Sequence, residues 1–119
     1  MKDEIMWWMS RITIMLTSLF LSFSLAAQAY AADITMGAGG NLVFEPNEVT
    51  INAGETVTFT NGDLPPHNVV FLDNPELSHP DLMFLGGEQI QITFDKAGDY
   101  EFQCEPHAGA GMKGVIHVS

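Results

Sequence analysis

Residues 89–104 read QIQITFDKAGDYEFQC, and the alternation in this stretch decides the fold. Ile90, Ile92 and Phe94 lie on one face of an extended segment with polar residues between them, the period of a half-buried strand. Lys96, Ala97, Gly98 and Asp99 make a turn, after which Tyr100, Phe102 and Cys104 share one face of a second strand. Working outward, Glu48 to Ile51 places Val49 and Ile51 together. A turn at Asn52–Glu55 leads into Thr56–Asn61, where Val57 and Phe59 point inward and the threonines outward. The chain closes on Lys113–Val118, with Ile116 and Val118 inward. Adding Asp33–Met36, Leu42–Phe44 and Asn68–Leu72 predicts seven or eight short strands separated by turn residues, an all-β sandwich or barrel. Residues 73 to 88 read as a long irregular connection with room for one helical turn.

The chain has 119 residues, fifteen Asp and Glu against four Lys and Arg, and a formal charge of −11. Arg11 is followed by an apolar run over residues 12–25 and then by small residues through Ala32, the shape of a secretory signal peptide. The run is too short for the ~20 residues of a spanning helix. Cleavage is expected after Ala31, with Ala29 the other small-x-small site, so residues 1–31 are read as a leader and 32–119 as one exported, soluble domain. Asp3 and Glu4 fall in the leader, leaving thirteen acids against Lys96 and Lys113 alone. Such a surface excludes nucleic-acid binding and adsorption to anionic membranes, and it favours a partner with a basic patch. A domain of this size buries only about 60–65% of its unfolded surface. With a single cysteine it can form no internal disulfide, which makes a metal a natural question.

The residues that carry chemistry are Cys104, His107 and Met112 in one Pro- and Gly-rich loop after a strand, and His67 upstream. Two imidazoles, one thiolate and a thioether are the donor set of type 1 copper sites. Soft sulfur favours Cu(I) while imidazole accepts either oxidation state, so one rigid geometry serves both. No position is left open for a substrate, which points to electron transfer and away from an enzyme. Structural zinc is the weaker reading, because zinc rarely takes Met. A Cys–His nucleophile lacks an oxyanion-hole partner. His117 alternates out of phase with Ile116 and Val118 and is expected to face solvent. His79, beside Pro80, is expected to play no part in metal binding.

Three segments carry a resemblance: residues 66–71 (PHNVVF), 98–107 (GDYEFQCEPH) and 109–114 (GAGMKG). They resemble the plastocyanins, a family of type 1 blue-copper cupredoxins. The resemblance spans residues 32–119 and implies a Greek-key sandwich with one copper held by His67, Cys104, His107 and Met112. It also implies a bracing role for Asn68 beside the cysteine sulfur, and an apolar docking face of Leu42, Pro66, Gly109 and Ala110. The function it implies is a mobile, monomeric Cu(I)/Cu(II) carrier from cytochrome f of the b6f complex to photosystem I in the thylakoid lumen.

Three positions depart from the family pattern. Gln103 stands where tyrosine is usual. Ala108 stands where cyanobacterial members commonly have arginine. The connection after Phe71 is short and carries only Asp73, Glu76 and Asp81. A single short export signal suggests a cyanobacterial member. The alternative class is a pseudoazurin- or amicyanin-like periplasmic donor to a respiratory enzyme, although amicyanin-type loops are shorter between His and Met, and pseudoazurins carry C-terminal helices. Copper storage would call for more methionine than Met36, Met83 and Met112.

Overall fold

The computed structural model describes residues 30–119; the leader expected at 1–31 lies almost wholly outside them. The described residues form nine strands and three short 3-10 turns: β1 (Tyr30–Met36), β2 (Phe44–Glu45), β3 (Glu48–Ile51), β4 (Glu55–Asn61), β5 (His67–Phe71), β6 (His79–Met83), β7 (Gln89–Phe94), β8 (Gly98–Gln103) and β9 (Lys113–Val118), with turns at Ala38–Gly40, Pro75–Leu77 and Glu105–Ala110. One sheet runs β2-β1-β4-β7 and the other β3-β9-β8-β5-β6. The β1–β4 and β3–β9 pairs are parallel and the rest antiparallel. Among the described residues no helix is long and apolar enough to cross a membrane.

Aromatic side chains fill the space between the sheets. Phe44, Phe59 and Phe94 come from the first sheet, Phe71, Tyr100 and Phe102 from the second. Phe102 meets Phe44 and Phe59 edge-on at centroid distances of 4.7 and 5.4 Å, and Phe94 meets Phe71 at 5.6 Å and Tyr100 at 5.1 Å. Such edge-to-face pairs add to the stabilisation from buried area alone. Gly114 sits where a Cβ would lie 2.5 Å from Phe102 Cζ, so the ring depends on a bare backbone at the start of β9.

The alternating runs of β3, β7, β8 and β9 fold as read, with Ile51, Ile92, Phe94, Tyr100, Phe102, Ile116 and Val118 buried. Four expectations need correction. The connection over 73–88 holds, besides the turn at Pro75–Leu77, a ninth strand, β6. It carries no alternation because His79, Pro80, Asp81 and Leu82 are all exposed on an edge strand that pairs only with β5, a position that tolerates proline. The strand expected at Leu42–Phe44 begins only at Phe44, because the Val43 N–H folds back to the Asn41 carbonyl at 2.9 Å. Thr56 and Thr58 are buried, since β4 is flanked on both sides; the Thr56 and Thr93 hydroxyls bond each other at 2.8 Å. The first strand starts at Tyr30, but its register on β4 shifts between Tyr30 and Ala32 and is regular only from there on.

The outer face of the second sheet carries a three-strand pin far from the cysteine end. His117 Nδ1 lies 2.6 Å from Asp99 Oδ1 on β8 and Nε2 lies 2.6 Å from Glu48 Oε1 on β3. Carboxylates only accept, so both ring nitrogens carry protons and the side chain is an imidazolium. The hydrogen bond to Asp99, followed by that to Glu48, raises its pKa above the ordinary 6.5. A group whose folded pKa is raised adds stability that is complete below its unfolded pKa and is lost as pH climbs through the folded value. Wild type is therefore expected to lose its stability advantage over His117→Gln as pH rises from about 6 upward, as read from denaturant midpoints of the two proteins across pH. An advantage constant across that range would sink the pin.

Candidate metal centre

The metal-ligating side chains meet at one end of the sandwich. His67 opens β5, Cys104 follows β8, and the 3-10 turn Glu105–Ala110 carries His107 before the chain re-enters the sheet at β9. The loop is closed on itself by backbone hydrogen bonds. Cys104 N–H donates to the Met112 carbonyl at 3.1 Å, Met112 N–H to the His107 carbonyl at 3.3 Å, and His107 N–H to the Cys104 carbonyl at 3.2 Å. Gly111, at φ 88°, makes the left-handed step that returns Met112 to the interior.

Cys104 Sγ lies 3.7 Å from His67 Nδ1 and 3.5 Å from His107 Nδ1, and the donor atoms of the three residues lie within 4.8 Å of one another. His67, Cys104 and Met112 are completely buried, whereas His107 is half-buried. The His67 tautomer is set from behind. The Asp63 carbonyl, 2.7 Å from Nε2, can only accept, so Nε2 carries the proton and Nδ1 keeps its lone pair for a metal. That contact needs a bare backbone at Gly37, where φ is +76° and a Cβ would lie 1.9 Å from the Asp63 oxygen and 2.7 Å from His67 Nε2.

Asn68 is 2% exposed and binds the loop through its side chain. Its Oδ1 accepts from the Glu105 N–H at 2.8 Å, and its Nδ2 donates to the Glu105 carboxylate at 2.9 Å and to the Pro80 carbonyl at 3.0 Å. The hydrogen bonds of the Asn68 side chain go to Glu105 and Pro80 and not to the sulfur. Burial, the largest influence, pushes the Cys104 thiol pKa up; the backbone N–H groups of Asn68 and His107 pull it down, and the Glu105 charge adds to the rise. A thiolate this buried is favoured only when a cation shares the site.

The donor set fits such a cation. A thiolate at about 2.3 Å and an imidazole nitrogen at about 2.0 Å from one ion, roughly 110–120° apart, are separated by about 3.6 Å, which the two Sγ–Nδ1 distances bracket. His67, Cys104, His107 and Met112 are positioned as a type 1 copper site. The other histidines stand apart, His79 exposed on β6 and His117 in its carboxylate pin.

Three comparisons agree with this geometry. The family described as "copper binding proteins, plastocyanin/azurin family" matches residues 31–119. A chloroplastic plastocyanin of Tetradesmus obliquus is 48% identical over 105 residues, covering 81% of this chain and 72% of the relative. Among solved structures, oxidised plastocyanin from the fern Dryopteris crassirhizoma superposes with a TM-score of 0.67 at 30% identity, over 74% of this chain and all of that one. Amicyanin from Paracoccus versutus superposes with a TM-score of 0.61 at 31% identity, over 81% and 86%.

With Cu(II) bound, the protein is expected to absorb strongly in the visible through thiolate-to-copper charge transfer. Cys104→Ser should abolish that band, whereas Met112→Leu should keep it and raise the reduction potential, because the axial ligand tunes it. A colourless wild-type protein after Cu(II) titration would contradict the donor assignment. Gly37→Ala should lower the thermal midpoint of the copper-free protein and weaken metal uptake, since the new Cβ displaces either Asp63 or His67.

Proposed function

The chain belongs to the plastocyanin/azurin family of copper-binding proteins, and on that premise we propose that it is a mobile one-electron carrier taking electrons from cytochrome f of the b6f complex to photosystem I. The bound copper supplies a one-electron Cu(II)/Cu(I) couple. The observation that carries the reading is the unequal exposure of the donors. His67, Cys104 and Met112 are sealed from solvent, and His107 alone of the four is part-exposed. Ala108, Gly109, Ala110 and Gly111 follow it, so the rest of its own loop adds no large side chain beside the imidazole. A redox partner thus has one short route in and out, and with the donors enclosed, the site supports electron transfer and not turnover of a substrate.

Docking is proposed at the apolar face that the family resemblance implies, Leu42, Pro66, Gly109 and Ala110; the first two are half-buried and the last two exposed. Thirteen acids beyond the leader, against Lys96 and Lys113, steer the protein toward a basic partner surface. Asp73, Glu76 and Asp81 are exposed but sparse, and Gln103, where tyrosine is usual, is half-buried, so the attraction is diffuse and release is fast. The 48% identity to the Tetradesmus obliquus plastocyanin supports photosynthetic partners. The signal-like leader and the chloroplastic relative support a thylakoid-lumen location. Cleavage after Ala31 would leave the regular β1–β4 register from Ala32 to Met36 intact.

In flash experiments the reduced protein is expected to re-reduce photosystem I, with a rate constant that falls as ionic strength rises. Leu42→Glu should slow transfer on the order of tenfold without altering the copper spectrum. Leu42→Glu without effect, together with loss of transfer on neutralising Asp73 and Glu76, would place docking on the acidic flank. Failure to reduce photosystem I at any salt concentration would favour the respiratory alternative. Mass spectrometry of the native protein should find Ala32 at its N-terminus.

A further inference from the structure

Glu105 directly follows Cys104 and joins the ligand loop to Asn68. Its carboxylate is held in place, although the residue is exposed. Oε1 accepts from Asn68 Nδ2 at 2.9 Å while its own N–H donates to Asn68 Oδ1 at 2.8 Å, a reciprocal clamp onto a side chain that is 2% exposed. Asn68 is itself fixed by the Pro80 carbonyl at 3.0 Å. Among the described residues every ion pair involves His117, so no cation neutralises Glu105. Of the two lysines beyond the leader, Lys96 sits in the turn between β7 and β8 at the opposite end of the sandwich, and Lys113 opens β9 opposite Gln103 without forming an ion pair with Glu105.

We propose that the clamped Glu105 carboxylate lowers the reduction potential of the metal centre and so makes the reduced protein a stronger electron donor. The inference rests on the copper-carrier reading above. Reduction adds one electron to the site, and a fixed negative charge beside it opposes that addition, favouring the oxidised state. Water screens part of the effect at an exposed carboxylate, so a modest change is expected. Glu105 is a positioning and tuning residue, touching the ligand loop and not the metal.

The test is a spectroelectrochemical titration of the copper-loaded protein at fixed pH and ionic strength. Wild type is compared with Glu105→Gln, Glu105→Ala and Asp95→Asn. Gln keeps an oxygen acceptor for Asn68 Nδ2 while removing the charge. Ala removes both. Asp95, exposed at the far end of the sandwich, reports the general effect of losing one acid. Both Glu105 variants should raise the equilibrium constant for one-electron reduction about threefold to tenfold, a tenfold change being 59 mV. Asp95→Asn should move it distinctly less. Only Glu105→Ala should also lower the thermal midpoint of the copper-free protein. A Glu105→Gln potential equal to wild type, or raised no more than by Asp95→Asn, overturns the proposal. A wild-type protein with no reversible one-electron couple overturns instead the carrier reading on which the proposal stands.

Discussion

The metal centre depends on holding two pieces of chain, far apart in sequence, in one fixed relation, and the Asn68 side chain does this. His67 belongs to β5, while Cys104, His107 and Met112 lie in the loop between β8 and β9. β5 and β8 pair only through Val70–Gln103 and Phe71–Phe102, so the ladder stops short of the ligands. Beyond that point Asn68 continues the connection, accepting from the Glu105 backbone, donating to the Glu105 side chain and anchoring to Pro80 on the other flank. A buried amide with its hydrogen bonds made is rigid, and losing one partner would strand polar atoms in the interior. The Sγ–Nδ1 distances inherit that rigidity.

Behind the ligands the sandwich resists rearrangement. Phe102, two residues before Cys104, is wedged between Phe44 and Phe59 of the facing sheet, so β8 cannot slide without opening the aromatic core. His67 is held by Asp63 on its far nitrogen, and Asp63 is held close by the bare backbone of Gly37. A donor set held on all sides changes little between oxidation states. That is the physical requirement for a carrier that must accept and give an electron quickly. The same enclosure destabilises an unpartnered Cys104 thiolate, so the metal and the folded site support each other.

Enclosure on the protein side and thin cover at His107 give the molecule its direction. A closed Cys–His–Met loop of mostly small residues leaves His107 the one part-exposed donor, and the acids of the described chain are scattered along it, the two features on which the proposed docking rests. The His117 pin lies on the outer face at the other end of the same sheet, where it joins β3, β9 and β8 without touching the site.

By itself the sequence determined the all-β class, the inward sets of β3, β7, β8 and β9 and the four donors, because period-two burial and a soft-sulfur ligand loop are local patterns. It did not disclose β6. An edge strand with exposed residues on both faces has no burial period to read, and its existence depends on pairing with β5. It misplaced Thr56 and Thr58, since burial on the outer face of β4 comes from flanking strands and not from its own alternation. The Asn68–Glu105 clamp and the Asp63 support of His67 were likewise settled only by tertiary structure. They join residues whose separation in space is set by how the strands pair and how the loops fold back at one end of the sandwich, and no local pattern in a chain encodes that distance.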